Sequence, residues 1–299
     1  MSQLREYIEK HPLEAQRLVG LDYEQLMELI GLAERLHNQK QRAVEQKKTR
    51  IIKAGGGRQP KLSKSDQVLL TLVYLHHLPT FQMLGVQLGV SESAANYIFH
   101  YWLGILRELL PASLVEQVKK NENEWEWVEE VLSEFELIVD SCEQPRERPT
   151  QYQEQKKFYS GKQKRHTFKN QLIVMPDGRE IVDVVVGKPG ATSDINIWRE
   201  RRRQLSDSQK FKGDKAYVGE PAIDTPHKKT KNQNITVEQK EENQKKARTR
   251  VVVEHLIRLV KTFRIAAERF RLQSARYEQV ILAVCGLIRW RIGAIVLNS

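Results

Sequence analysis

The sequence predicts two structural classes in one chain: an all-α region followed by a three-layer α/β or α+β domain. Three observations carry this. From Thr80, the stretch TFQMLGVQLGVSESAANYIFHYW reads as a short helix, a glycine turn and a second helix. Three strand-like runs then follow in succession, FELIVD, NQLIVM and EIVDVVVG. Finally, helical periodicity returns from roughly Val237 to Ile295.

Bulk properties narrow the function classes. With 299 residues the chain has room for two domains, each of about 100–200 residues. A 40% hydrophobic and 29% charged composition can bury a sizeable core, which excludes a disordered chain. The formal net charge of +11 suits a polyanionic partner, because Lys and Arg that neutralise phosphates release condensed counterions. Only Cys142 and Cys285 occur, far apart, so neither a disulfide framework nor a cysteine metal site is expected. The start MSQLREYIEK lacks the apolar core of a signal peptide. Val280–Leu297 is apolar but interrupted by Arg289 and Arg291, which reads as a buried helix rather than a membrane span. A cytoplasmic, nucleoid-associated protein is expected.

Taken in order, residues 1–39 form an N-terminal helical segment with Leu26, Leu29, Ile30, Ala33 and Leu36 on its apolar face. Residues 40–62 are a basic, Gly-rich linker, in which Gly55–Gly57 and Pro60 break any helix within KKTRIIKAGGGRQPK. Residues 63–115 are the helix-turn-helix domain. Ser63 opens a helix whose stripe is Val68, Leu69, Leu72, Val73 and Leu75. Thr80 caps a short helix carrying Met83, Leu84 and Leu88; Gly89 makes the turn and Val90 plugs the core. Ser91 caps a second helix with Ala95, Ile98 and Phe99 inward. Glu92, Ser93 and Asn96 then face outward, followed by His100 and Tyr101. Ser91, Ser93 and Asn96 are the candidate DNA contacts, Asn being able to pair with adenine in the major groove. A helical hairpin that only packs fits the same pattern; the basic arm ahead of it favours DNA reading.

Residues 116–134 are an acidic connector carrying Trp125 and Trp127, and residues 135–299 form the second domain. Pro176-Asp177-Gly178 joins NQLIVM to EIVDVVVG as a hairpin. Three carboxylates stand out. Asp140 ends FELIVD, so it should emerge from the carboxyl end of a buried strand. Asp214 follows a short strand in FKGDKAYVG, and Glu254 lies on a helix in RTRVVVEHLIRLVKTFRI. Two strand ends and one helix can bring carboxylates together around a pair of divalent ions, the arrangement that clamps an in-line phosphoryl displacement. Singly, each has a plainer reading: an Asp after a strand is commonly a turn or cap, and a Glu among arginines is commonly a solvated ion pair.

Around Glu254, the residues Arg250, Arg258 and Lys261 recur on one helix face, where cations can hold a DNA backbone. In GKQKRHTFKNQ, Lys164, Arg165, His166 and Lys169 lead into a strand, and Arg165 and Lys169 are candidate phosphate contacts. Lys228, Lys229, Lys231, Lys245, Lys246 and Arg248 are further basic candidates between the second and third carboxylates. Asp194 in KPGATSDINIWRE reads as a helix cap.

From about Ser63 onward the chain resembles the DDE-superfamily transposases of bacterial insertion sequences, in the group with an N-terminal helix-turn-helix. The carriers are IVDSCEQPRERP, YSGKQKRHTFKNQLIV, GKPGATSDINIW, FKGDKAYVG and RTRVVVEHLIRLVK. The resemblance implies a ribonuclease-H-like catalytic domain, a mixed sheet flanked by helices. Its catalytic and metal-binding triad would be Asp140, Asp214 and Glu254, with Mg²⁺ as a pair of ions and Mn²⁺ as substitute. The family signature of Tyr, two residues, Arg, three residues, Glu, six residues, Lys is matched by Arg250, Glu254 and Lys261, while Ala247 stands at the Tyr position.

The leading expectation is a transposase that binds the terminal inverted repeats of its element and cuts and joins double-stranded DNA. Joining two ends implies a homodimer or larger complex. A sequence-specific DNA-binding protein with a relic nuclease fold is the alternative, and a nuclease acting on RNA–DNA hybrids or junctions is a third reading.

Overall fold

The computed structural model describes residues 2–47, 59–119, 122–202, 205–229 and 235–294. They group into two compact units, Met1–Leu110 with Phe263–Ile265, and Pro111–Thr262 with Ala266–Ser299.

The first unit is all helical: α1 Gln3–Lys10, α2 Ala15–Val19, α3 Tyr23–Gln46, α4 Lys64–His77, α5 Phe81–Leu88 and α6 Glu92–Leu109. Polar caps set the starts. Ser63, Thr80 and Ser91 accept from the amides of Asp66, Met83 and Ala94, and Asp22 forms a reciprocal capping box with Gln25. The expected apolar stripes are largely internal, with Leu26, Leu29, Ile30, Ala33, Val68, Leu69, Leu72, Leu75, Ala95 and Phe99 buried. Leu36, Val73 and Ile98 are only half-buried. Helix α3 runs on past residue 39 to Gln46, because no breaker precedes the glycines. The core of the expected linker, residues 48–58, lies outside the described residues.

Between α5 and α6 the turn is as expected: Gly89 has φ +70°. Two details differ. Met83, expected inward, is exposed, and Val90 is half-buried rather than a plug. The close approach is made by Gly85, where a Cβ would lie 2.7 Å from the Val90 carbonyl oxygen. That carbonyl can sit against α5 only because the residue there is glycine.

The second unit contains α7 Leu114–Val118, α8 Glu122–Ser133, β1 Glu136–Pro145, α9 Tyr152–Phe158, β2 Tyr159–Ser160, β3 Arg165–Val174, β4 Ile181–Pro189, α10 Asp194–Arg202, β5 Lys210–Lys212, β6 Ile223–Asp224 and α11 Val237–Thr262. Helix α12, Arg264–Ala267, follows, and α13 Tyr277–Arg291 returns to this unit. The sheet runs β2-β3-β1-β5-β6, with β4 also on β3. Strands β1, β3 and β4 are antiparallel neighbours, whereas β1, β5 and β6 run parallel. Three antiparallel strands continued by two parallel ones form the mixed, ribonuclease-H-like sheet. The hairpin at Pro176-Asp177-Gly178 is present, with Gly178 at φ +73°.

Two expected boundaries move. Strand β1 continues to Pro145, so Asp140 is mid-strand rather than terminal, because β3 pairs with β1 from Ile138↔Val174 to Pro145↔Thr167. The region expected to be helical from roughly Val237 to Ile295 is divided into α11, α12 and α13, with a break after Thr262. The backbone amide of Phe270 bonds the Pro145 carbonyl at 2.9 Å, adding a bridge at the end of β1.

Side chains alternate across β1. Leu137 and Val139 join Ile173, Val182, Trp198, Phe211 and Tyr217 in a core on one face. Ile138 and Asp140 therefore point to the other face, where α11 packs on β1 and β3 and α13 packs on β4. Arg289 of α13 is fully buried. Its guanidinium grips Glu180 at 2.6 and 2.7 Å, Gln117 at 2.9 Å and the Pro111 carbonyl at 2.9 Å. The charge that interrupts the apolar stretch is thus an internal clamp. No helix of the described residues is long and apolar enough to cross a membrane.

Candidate active site

Register places the first two carboxylates. The parallel pairing of β1 with β5 ends at Ile138↔Lys212. Asp140 and Asp214 each lie two residues beyond that last pair, at the same edge. Asp214 has left β5 and caps the short 3-10 turn Lys215–Tyr217, so it sits just past the end of the strand that neighbours β1. Helix α11 crosses β1 on the face to which Asp140 points and contributes Glu254.

Electrostatics report the convergence. The Asp140 carboxyl is pushed up to about 6, first by burial and then by the negative charges of Asp214 and Glu254; the Ser141 amide and Arg250 act in the opposite sense. Each carboxylate also has a local partner. Asp140 accepts from the Ser141 amide at 2.8 Å, Asp214 from the Ala216 amide at 2.7 Å, and Glu254 pairs with Arg250 at 3.4 Å. Among the described residues no three His, Cys, Asp or Glu side chains form a ready-made metal cage. Asp214 and Glu254 act on Asp140 as neighbouring negative charges.

A polar layer supports these residues from the other face. The Tyr217 hydroxyl lies 3.0 Å from Ser141 Oγ and accepts from Gln171 Nε2 at 3.0 Å. Burial pushes the Tyr217 phenol well above its ordinary value, so it stays a neutral hydrogen-bonding anchor. Tyr217 is three residues after Asp214, and a Cβ at Gly213 would meet its ring at 2.8 Å. Gly213 and Tyr217 therefore fix the turn that presents Asp214. Sequence reading missed both; the signal available was the Gly-Asp-x-x-Tyr spacing itself.

A cleft of about 410 Å³ opens at this edge. Asp140, Glu143, Lys169, Asp194, Glu254 and Lys261 line it, together with the turn at residues 160–163, while Asp214 is not part of the lining. Lys169, expected to meet phosphate, is 8% exposed and already committed. Its ammonium pairs with Asp194 at 2.9 Å, donates to the Thr192 carbonyl at 2.6 Å and approaches Glu143 at 3.9 Å. Asp194 is the first residue of α10 and spends its charge on Lys169 rather than acting as a plain cap. Lys261 faces the cleft beside Cys142, whose thiol burial pushes up to about 11.

The remaining candidates divide by exposure. Arg258 and Arg165 are exposed, and Arg250 is mostly covered between Asp140 and Glu254. Lys246 pairs with Asp224 at 2.6 Å, whereas Lys228, Lys229, Lys245 and Arg248 are exposed. Lys231 lies outside the described residues. In the first unit Ser93 is exposed and Asn96 half-exposed on α6, while the Ser91 hydroxyl is engaged as the helix cap. His37 Nδ1 lies 2.7 Å from the Tyr101 hydroxyl, which turns that tyrosine toward its own unit.

Comparison with known proteins gives a consistent result. Residues 139–289 match the family model described as DDE superfamily endonuclease, and residues 60–112 match that of the helix-turn-helix of DDE superfamily endonuclease. The chain is 34% identical over 225 residues to the probable transposase for insertion sequence element IS702 of Microchaete diplosiphon, covering 74% of this chain and 78% of the relative. Among solved structures, the piggyBac transposase synaptic complex with hairpin DNA is similar at 9% identity and a TM-score of 0.40, over 93% of this chain and 74% of that one. The mariner Mos1 paired end complex with Mg is similar at 17% identity and a TM-score of 0.15, over 57% of each chain.

Proposed function

Because the chain belongs to the DDE superfamily of endonucleases, with that superfamily's helix-turn-helix ahead of the nuclease domain, we propose that it is a transposase. In this reading it binds the terminal inverted repeats of its mobile element, cleaves the DNA there and transfers the strand ends to a target. The observation that supports the chemistry is that Asp214, two residues past the last β1–β5 pair, and Glu254 on α11 both lie close enough to Asp140 to raise its carboxyl.

The donor set fits a hard divalent cation: Asp140, Asp214 and Glu254 offer only carboxylate oxygens, and their mutual repulsion is what such an ion relieves. Mg²⁺, or Mn²⁺ in its place, would supply Lewis acidity to the attacking and leaving oxygens of an in-line displacement. The protein's own part is positional. Partial burial of Asp140 weakens its hydration, the Ser141–Tyr217–Gln171 layer holds β1 and the Asp214 turn, and Arg250 neutralises part of the acidic charge. Lys261 and Arg258 face outward on α11 as phosphate contacts, and Ser93 and Asn96 of α6 read bases. Joining two element ends calls for at least two protomers.

The test is cleavage of a labelled duplex carrying the element's own ends, with Mg²⁺ or Mn²⁺ and Glu254→Gln as control. Nicking at the element boundary is expected for the wild type and not for the variant. Tight binding without nicking in both proteins would move the reading to a DNA-binding protein with a relic nuclease fold.

A further inference from the structure

We propose that the edge formed by α9, β2 and the turn after it is a stacking platform for unpaired bases of the DNA strand that leaves the carboxylate cleft. The proposal rests on the nuclease reading above for the presence of DNA in that cleft.

Charge comes first. Residues 146–166 carry seven Lys and Arg against two Glu, so the segment is one of strong positive excess. Lys156, Lys162 and Lys164 have no carboxylate at ion-pair distance among the described residues, whereas Lys157 is paired with Glu154. Such a patch attracts a phosphate backbone but does not by itself distinguish duplex from single strand.

Aromatic exposure makes the distinction. Tyr152 is 64% exposed and Tyr159 is 43% exposed, although Tyr152 opens α9 and Tyr159 opens β2. The Lys156 ammonium lies 4.8 Å from the Tyr152 ring centroid, and Tyr159 meets His166 edge-on across the β2–β3 pair at 5.6 Å. Rings interleaved with cations are what unpaired bases use, because each base then offers a π-face and its phosphate a charge. An intact duplex hides its base faces in its own stack.

The platform is also rigid. Phe158, the last residue of α9, lies under the Arg146 guanidinium at 3.9 Å, and that guanidinium also lies 4.4 Å from the Phe168 ring. Ser160 holds the following turn, accepting at its hydroxyl from the Gln163 amide at 3.1 Å and at its carbonyl from the Lys164 amide at 2.8 Å. Pre-ordered rings lose little freedom on binding. Position completes the argument: the same turn lines the cleft that contains Asp140 and Glu254. A strand with one phosphate at the carboxylates reaches this edge with its next nucleotides.

The experiment compares binding of the full chain to a blunt duplex and to the same duplex with a short single-stranded oligo-dT tail containing 2-aminopurine, without divalent metal. For the wild type the tailed duplex should bind about ten-fold tighter, with quenched 2-aminopurine fluorescence. Tyr152→Ala with Tyr159→Ala should abolish both effects and leave blunt-duplex affinity unchanged, while the Tyr→Phe pair should retain them. Equal affinity of the wild type for both DNAs, or a preference that survives in the alanine pair, would overturn the platform. Since no cutting is involved, failure of the nuclease reading shows up separately, as an Asp140→Asn protein that nicks as well as wild type when Mg²⁺ is supplied.

Discussion

On the proposed reading Asp140 meets two demands that oppose each other: it is half-buried on a strand, and it would have to be charged to hold a cation. Its carboxyl is raised to about 6 by burial and by Asp214 and Glu254, against an ordinary 3.8. A raised acid favours the folded state below the unfolded value and loses that contribution as pH climbs through the folded one. The window is therefore about pH 4 to 6, and the metal-free protein carries a penalty on the order of 3 kcal/mol at neutral pH. Asp140→Asn should raise the melting temperature of the metal-free protein at pH 7 by about 5 °C, and the gain should vanish below pH 4; a pH series of thermal melts checks it. The same substitution should lower Mg²⁺-dependent nicking by at least about a thousand-fold while DNA binding, measured by gel shift, is retained. At this scale the sequence was informative about residue identity but not about use. Asp140, Asp214 and Glu254 were singled out by their contexts together with the family resemblance, each with a plainer reading beside it. The commitment of Lys169 to Asp194 and Glu143 was not, since a lysine leading into a strand reads the same whether its ammonium meets phosphate or a carboxylate 25 residues away.

At the scale of elements, the helix-turn-helix and the Arg289 clamp show where pattern succeeds and where it stops. Caps at Ser63, Thr80 and Ser91 were legible because each side chain serves an amide three residues on. Gly85 was not, because its reason is a carbonyl of the following turn. Gly85→Ala should therefore destabilise the first unit by about 1–3 kcal/mol through that backbone clash, whereas Ser91→Ala should cost only about 1 kcal/mol as a lost cap; chemical denaturation separates the two. Element ends were misjudged where pairing rather than propensity decides them. Strand β1 outlasts its apolar run because β3 accompanies it to Pro145, and the C-terminal helix breaks because Phe270 pairs with Pro145. Arg289→Met should cost about 3–5 kcal/mol by leaving Glu180 buried without its partner. Glu180→Gln in the same protein should recover part of the loss.

For the molecule as a whole, the net charge of +11 and the ordering of a DNA reader before a nuclease sheet belong together. Binding to DNA should fall steeply with salt, log K dropping by about 0.9 for each neutralised phosphate per tenfold increase, which a fluorescence titration at several salt concentrations measures. A slope near zero would deny the exposed lysines and arginines their assigned role. The fold class was legible because local signals agreed with the global arrangement: the main strands, the hairpin and the two helical regions came in the expected order, while α8, α9, β2 and β6 carried no signal strong enough to be named. Convergence of the three carboxylates was not derivable from spacing, since 74 and 40 residues separate them along the chain. The neighbouring of β1 and β5 and the path of α11 are what bring the charges of Asp214 and Glu254 to bear on Asp140. The clamp of Arg289 on Glu180, Gln117 and Pro111 has one more effect, in time rather than space. The nuclease unit opens at Pro111 and is locked by a residue almost 180 positions later, so on the ribosome that lock closes only after α13 has emerged. A chain that stops short of α13 has its reader's sequence complete and this latch missing; on the transposase reading, premature termination would yield a protein that competes for the element ends without breaking them.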